Sequence, residues 1–356
     1  MSTKLRITIV LPGRGLSGGV RVVATYGNKL IERGHQVTIV CLRHRLHWRP
    51  RPLLRRIYRD VCIGSGLQRD HLHDFKGLLL SSRAEDLSDR VPSGDVVVAT
   101  HWLTADPVAT LPESAGTKYY FIQHYEAHSF DPRRVDATWR LPMRKIVVAG
   151  WLRDLAAEKF GDTSAILVPN GLNPKQFNAP PRGLHRPHTV GLMYSLERWK
   201  GSAVAFEAVR IARKKISDLE IACFGADRPT NELPLPPKTR FHLRPPQNHL
   251  WAIYASADVW LCASETEGFA LPPLEAMACR CPVVVTRCGG PMDFVKDGIN
   301  GHIVGVGDAQ AMANRVVAML SNAALWKRMS DAAYETCERF GLDRSVDLFE
   351  AALRDR

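Results

Sequence analysis

The chain has no apolar run approaching the ~20 residues of a membrane-spanning helix. Its basic start, Met1 to Arg6, leads into a strand-like segment without the apolar core of a secretion signal, so a cytoplasmic protein is expected. The eight cysteines (Cys41, Cys62, Cys223, Cys262, Cys279, Cys281, Cys288 and Cys337) form no Cys-x-x-Cys pair. Several sit in apolar runs, which points to buried reduced thiols rather than disulfides, and no metal centre is indicated. No internal repeat marks a solenoid or propeller. Acidic residues are in deficit: 36 Asp and Glu against 48 Lys and Arg leave a net charge of +12 and a pI near 9.5. That excess favours polyanionic partners: nucleotide diphosphates, anionic lipid surfaces or nucleic acid.

With 45% hydrophobic and 24% charged residues the composition is that of a globular protein, and 356 residues exceed what one hydrophobic core usually serves, so two domains are expected. The positive charge is concentrated. Arg43, Arg45, Arg49, Arg51, Arg55, Arg56 and Arg59, with His44 and His47, share one segment with Trp48, Leu53, Leu54, Ile57 and Tyr58. Basic residues interleaved with Trp and Leu suit an anionic membrane surface, and equally a solvated basic face.

Short apolar runs alternate with helical patterns along the chain, which is the signature of an α/β protein with parallel sheets. Strands are expected at 6–11, 36–41, 95–100, 118–123, 146–149 and 165–168, then at 189–193, 219–225, 240–242, 257–263, 282–286 and 303–304. Helices are expected at 20–33, 152–160, from 202 to 216, at 248–255, 309–320, 325–340 and 345–353. The stretch from Pro174 to Pro187 is rich in Pro, Gly and Arg and reads as a linker between residues 1–174 and 188–340, with 341–356 as a terminal helix that packs back on the first domain.

The chain is organised around Ser264-Glu265-Thr266-Glu267-Gly268-Phe269-Ala270-Leu271-Pro272-Pro273-Leu274-Glu275-Ala276-Met277-Ala278. Pro272 and Pro273 suit a first helical turn, where a missing N–H costs nothing. Glu267 then falls in the loop at a strand's carboxyl end and Glu275 in the first turns of the helix, with both carboxylates facing one crevice. Such crevices are where open α/β sheets bind ligands. Gly268 lets a ligand approach backbone N–H groups at a positive helix end, and carboxylates accept from the diols of sugars and ribose. Phosphate donors beside polyol acceptors are what a nucleotide sugar requires.

Glu267 and Glu275, with seven residues between them inside EGFALPPLEAMA, resemble the E-x7-E signature of the family 4 retaining glycosyltransferases. That resemblance implies the GT-B fold: two facing Rossmann-like domains with parallel sheets and an interdomain cleft that closes over the donor. Further segments are similar to the same family: Pro169-Asn170-Gly171-Leu172-Asn173, the Lys200-Gly201 of its phosphate-binding loop, the Gly289-Gly290-Pro291-Met292-Asp293 loop and the turn Asp297-Gly298-Ile299-Asn300-Gly301. The family's arginine five residues before the lysine is Ser195 here, and Arg198 is the substitute nearby.

The resemblance implies that Glu275 grips the donor ribose and Glu267 the donor sugar, while Lys200 and Arg198 stabilise the diphosphate leaving group. Backbone N–H groups of Gly268, Phe269, Ala270 and Leu271 complete the donor contacts. Gly225 ends a strand at the height of the nucleotide base, and Gly18 and Gly19 belong to a glycine-rich loop lining the cleft. His124, after its strand, orients a sugar hydroxyl, with Glu126 and His128 as secondary candidates, while His101 at the end of its strand reads first as a structural histidine. No Asp-x-Asp pair is present of the kind that holds a metal in the other large glycosyltransferase fold, so the transfer is expected to need neither metal nor cofactor.

Gly13, Gly15 and Gly18 also match G-x-G-x-x-G between a strand and a helix. The following strand ends in Cys41-Leu42-Arg43 without the acid that meets a ribose, though an arginine suits a 2′-phosphate, which keeps an NADP-dependent oxidoreductase as an alternative. A sugar-nucleotide epimerase and a non-catalytic basic binding module are the others. The segment from Tyr119 to Glu126, with Met193-Tyr194-Ser195, is similar to enzymes of bacterial polysaccharide assembly, including rhamnosyltransferases. The expected partners are a nucleotide sugar, a glycan or lipid-linked acceptor, and an anionic membrane met through Arg43, Arg45, Arg55, Arg56 and Arg59, with no nucleic acid.

Overall fold

The computed structural model describes residues 3–43 and 70–355. Arg45, Arg55, Arg56 and Arg59 of the basic segment lie outside the described residues. The chain divides into two compact units, the first comprising residues 1–148, 152–168 and 346–356 and the second 149–151 and 169–345.

The first unit is built on seven parallel strands: β1 (Arg6–Leu11), β2 (Gln36–Leu42), β3 (Leu78–Ser82), β4 (Val96–Ala99), β5 (Thr117–Ile122), β6 (Arg144–Val147) and β7 (Ile166–Leu167). Their order is β3-β2-β1-β4-β5-β6-β7, so the winding reverses between β1 and β4. Continuous Val and Ile runs form the central strands because both faces are covered; every residue of β4 is buried.

Three elements here have weak sequence signals. β3 reads Leu-Leu-Leu-Ser-Ser, too short an apolar run to stand out. The helix Trp102–Ala109 contains Pro107, which reads as a breaker, yet it forms because His101 and Thr104 close a reciprocal cap at its start. The helix Pro132–Trp139 places its proline in the first turn, after Asp131 has capped Arg133 N–H at 3.0 Å. The last helix, Leu342–Arg354, ends against β5 and the helix Gly18–Glu32. The Phe349 ring lies 5.0 Å from that of Phe121, tilted, and 5.3 Å from that of Tyr26, edge-on; Tyr119 donates to the Asp355 carbonyl at 2.6 Å, and Arg33 pairs with Glu350 at 2.9 Å.

The second unit repeats the plan with β8 (Thr189–Tyr194), β9 (Glu220–Gly225), β10 (Thr239–Leu243), β11 (Val259–Cys262), β12 (Val283–Thr286) and β13 (Gly301–Val304). The order β10-β9-β8-β11-β12-β13 is again parallel throughout and reverses between β8 and β11. These two strands pack closely enough that a Cβ on Gly191 would lie 2.2 Å from the Trp260 ring, so a glycine in β8 is what admits a tryptophan in β11.

The Pro- and Arg-rich stretch is part of this unit rather than a free linker. Asp258, fully buried at the start of β11, accepts from Thr189 N–H and His185 N–H at 2.9 Å and from Arg182 at 3.1 Å, and Arg182 stacks on Trp326. Phe177 and Ala179 are buried. A carboxylate carrying three hydrogen bonds is stable without water, which anchors the incoming chain to the two central strands of the sheet, β8 and β11.

Candidate functional site

At the winding reversal of the second unit, the loops following β8 and β11 emerge side by side, which is where open α/β sheets gather ligand groups. After β8 the chain folds back through Ser202, whose hydroxyl accepts from Ser195 N–H at 2.9 Å and donates to the Ser195 carbonyl at 3.1 Å. A single helical turn, Arg198–Lys200, then ends at Gly201 in the left-handed region with φ of 68°. A Cβ at Gly201 would sit 1.9 Å from the Ala263 carbonyl oxygen, so only glycine lets the two loops approach this closely. Glu265 N–H donates to the Trp199 carbonyl at 2.7 Å and ties them together.

That closure brings Lys200 onto Glu267. The ammonium donates to both carboxylate oxygens, at 2.7 and 2.9 Å, and lies 4.1 Å from the Trp199 ring centroid. The Ser264 hydroxyl donates to the same carboxylate at 2.7 Å. Glu267 is only 8% exposed, so the pair interacts through a poorly screened medium. Lys200, Glu267, Ser264, Met193 and Pro272 all line one cavity.

Beyond Glu267 the backbone is held from one side. Glu267 N–H donates to the Cys288 carbonyl at 2.6 Å, and its carbonyl accepts from Gly290 N–H at 3.0 Å. The Gly268 carbonyl accepts from the Trp151 indole at 2.9 Å. Ala270 adopts φ 68° and ψ 73°, a left-handed conformation that strains a residue with a Cβ, and the helix Leu271–Ala278 follows without a side-chain cap. As expected, Pro272 and Pro273 fall in its first turn. No backbone carbonyl among the described residues accepts from the N–H groups of Gly268, Phe269, Ala270 or Leu271, although all four residues are buried. Consecutive donors without a backbone acceptor at a helix N-terminus suit phosphate oxygens.

The remaining expected residues are distributed more widely. Glu275 stands in the helix at 2% exposure, and the buried Tyr254 hydroxyl donates to it at 2.7 Å. Glu275 is not among the residues lining the cavity of Lys200 and Glu267. Arg198 is exposed, and Ser195 serves the loop by capping Glu197 N–H at 3.2 Å. A Cβ at Gly225 would meet the Tyr194 carbonyl at 2.6 Å, which accounts for that glycine by packing. Asp293 accepts from Gly150 N–H at 2.8 Å.

In the first unit, the glycine-rich loop runs from β1 into the helix Gly18–Glu32, capped by Ser17. Arg14 in that loop is held by Asp70 at 2.6 Å, and a Cβ at Gly19 would touch the Gln123 side chain. A Cβ at Gly15 would meet nothing within 4 Å, and one at Gly13 would meet only the Leu42 carbonyl, at 3.8 Å. Arg43 is exposed after β2, its N–H donating to the Ser82 carbonyl.

His124 follows β5, with Nδ1 2.9 Å from the Tyr125 carbonyl and its ring 4.4 Å from that of His128. His101 caps a helix: Nδ1 accepts from Leu103 N–H at 3.2 Å, which leaves the proton of the neutral ring on Nε2, 3.4 Å from Glu126. Burial pushes the Glu126 carboxyl up to about 8, against the opposing hydrogen bond from Trp102 N–H.

Sequence reasoning missed Tyr254 and Trp151, because each acts from a distant segment through a hydrogen bond and has no periodic or spacing signal. Ser264 opens the organising stretch but has no role in the sequence reading. The seven described cysteines are all buried and unbridged. Among the described residues no cluster of His, Cys, Asp and Glu has metal-binding geometry, and no helix is long and apolar enough to cross a membrane.

Comparison with known proteins gives the following. Residues 178–336 match the family of glycosyl transferases group 1. The chain is 33% identical over 110 residues to N-acetyl-alpha-D-glucosaminyl L-malate synthase of Bacillus anthracis, covering 31% of this chain and 29% of that one. It is 28% identical over 206 residues to phosphatidyl-myo-inositol mannosyltransferase of Mycobacterium leprae, covering 55% and 54%. The matches thus span from under a third to about half of these relatives' length. The structure of HepE from Anabaena, solved with UDP-glucose, superposes with a TM-score of 0.79 at 14% identity over 99% of this chain and 100% of that one. The fold is therefore GT-B, as the sequence resemblance implied.

Proposed function

We propose that this chain, whose residues 178–336 match the group 1 glycosyl transferases, is a retaining, metal-independent transferase of the family 4 type. It moves a sugar from a nucleoside diphosphate to a hydroxyl of a glycan or lipid-linked glycan of the bacterial cell surface. The observation that carries the reading is the contact of Lys200 with Glu267 at the strand-order reversal, with the backbone N–H groups of Gly268 to Leu271, which have no backbone acceptor, following directly in the chain. A UDP-sugar complex in HepE and a phosphatidyl-inositol acceptor in the name of the mycobacterial relative support the donor class and a lipid-linked acceptor.

In this reading the diphosphate lies against the N–H groups of Gly268 to Leu271, with Lys200 as the adjacent cation and Arg198 as a second cation from solvent. Glu275 accepts from the ribose hydroxyls, its orientation set by Tyr254, and Glu267 accepts from a hydroxyl of the donor sugar. For His124, in the first unit, the proposed role is to orient a hydroxyl of a sugar substrate. The bond between the anomeric carbon and the β-phosphate oxygen breaks, and its electron pair leaves with the diphosphate. The acceptor oxygen bonds to the same face of the anomeric carbon, and its proton passes to the departing phosphate oxygen.

Pre-placed donors stabilise the charge that grows on the leaving oxygen, and each such contact contributes ~3 kcal/mol to lowering the barrier. Lys200 is held ready by Glu267, so it needs little reorganisation when the phosphate arrives. A cytoplasmic protein touching the membrane surface through its basic segment would meet a lipid-linked acceptor there.

The test is a panel of UDP-, GDP- and dTDP-sugars, with undecaprenyl-linked glycan as acceptor. Nucleoside diphosphate release is followed by chromatography and the product anomer by NMR. The reading expects transfer with retention for one donor class, and loss of at least a hundredfold in Glu267→Gln. Inversion at the anomeric carbon, or release of diphosphate unaffected by Glu267→Gln, would overturn it.

A further inference from the structure

We propose that Trp151 is a positioning residue for the phosphate cradle, holding the peptide between Gly268 and Phe269 so that its N–H faces the donor diphosphate. This rests on the transferase reading above. A peptide unit is planar and trans, so its C=O and N–H point in opposite directions. The indole N–H of Trp151 donates to the Gly268 carbonyl at 2.9 Å and thereby turns the Phe269 N–H to the opposite side. One residue earlier, the Gly290 N–H does the same to the Glu267 carbonyl at 3.0 Å, and so directs the Gly268 N–H. Two successive N–H groups are aimed by two donors acting from the same flank.

The slot for the indole is built by glycine. Gly289 has φ 93°, and a Cβ there would lie 2.8 Å from the Trp151 ring atoms; a Cβ on Gly290 would fall 2.3 Å from the Phe269 Cα. Any side chain at either position would push the ring or the donor loop away. Trp151 is further fixed through its neighbour, because Gly150 N–H donates to Asp293 at 2.8 Å. The need for such a clamp follows from the loop itself. The peptide that Trp151 holds follows Gly268, whose missing Cβ leaves its orientation unrestricted, and it lies one peptide before Ala270, which is strained at φ 68°. The Gly289-Gly290 pair thus acts on phosphate through Trp151 and Phe269 rather than by touching it.

The experiment compares wild type with Trp151→Phe and Trp151→Tyr, which keep a ring in the slot and remove the indole donor. Each is titrated with the nucleoside diphosphate that wild type binds and with the corresponding nucleoside, and donor and acceptor KM are measured. The expected result is a loss of about tenfold in diphosphate affinity and a matching rise in donor KM, since one hydrogen bond is lost. Nucleoside affinity and acceptor KM stay within twofold of wild type. Diphosphate affinity within twofold of wild type in both variants would overturn the inference. So would equal weakening of nucleoside and diphosphate, which marks a merely structural role. Failure of wild type to bind any nucleoside diphosphate would instead refute the transferase reading, and this inference with it.

Discussion

Lys200→Met removes the ammonium while keeping an unbranched chain of similar length in the cavity wall. Glu267 would then be a carboxylate at 8% exposure facing only the Ser264 hydroxyl. Breaking a buried ion pair by deleting one partner typically costs 3–5 kcal/mol. Here the side chains retain 19% and 11% exposure, and Ser264 still serves Glu267, so the expected loss is about 2–3 kcal/mol. Glu267→Gln leaves a lysine that extends to solvent and should cost about 1 kcal/mol. The double variant has neither an unpaired carboxylate nor an unpaired ammonium, and its loss should be about 2 kcal/mol less than the sum of the singles. Urea unfolding of the four proteins at pH 8, followed by circular dichroism, measures this coupling. Additivity within ~0.5 kcal/mol would refute the argument, because it would show the pair to be screened by solvent despite its geometry.

Other substitutions test other parts of the account. Gly201→Ala should destabilise by at least ~3 kcal/mol, the left-handed strain plus a Cβ 1.9 Å from a carbonyl oxygen, and lower the melting temperature by roughly 6–12 °C; a change below 2 °C in calorimetry would contradict the close approach of the two loops. Glu126, raised to about 8 from an ordinary 4.5, holds in the folded state a proton that the unfolded chain releases. Its contribution to stability is therefore complete below about pH 4.5 and is lost as pH rises to about 8, at up to ~1.4 kcal/mol per pH unit. Glu126→Gln should flatten that part of the stability profile, and an unchanged slope between pH 5 and 8 would contradict the burial argument. Tyr254→Phe should weaken binding of a nucleoside diphosphate several-fold by freeing Glu275, and equal affinity by calorimetry would show that the tyrosine does not set the glutamate.

The strands were legible because parallel strands covered on both faces must be continuous Val, Ile and Leu runs, as β4, β11 and β12 are. The central helix was legible from Pro272 and Pro273, whose missing N–H groups fit only a first turn. The helices starting at Trp102 and Pro132 were hidden because Pro107 sits within one and Arg, Asp and Thr fill the other, so side-chain caps rather than apolar spacing decide them. Lys200 and Glu267 could each be picked from local motifs, but their contact depends on Gly201, whose function appears only when the Ala263 carbonyl is placed against it. The burial of Glu275 and the roles of Tyr254 and Trp151 rest on hydrogen bonds between segments far apart in sequence, which leave no local pattern. Asp258 likewise reads as an ordinary acid before a strand, and only its three donors show why the Arg182 segment is fixed.

The central claim is that Lys200, beside Glu267 and the N–H groups of Gly268 to Leu271, receives a diphosphate. Isothermal titration of UDP, GDP and dTDP into wild type and Lys200→Met tests it most directly. The account predicts that wild type binds at least one of the three and that Lys200→Met binds it at least ~10-fold more weakly, as expected for a lost charge-assisted hydrogen bond. Binding of equal strength in the two proteins, or none of the three bound by wild type, would contradict it.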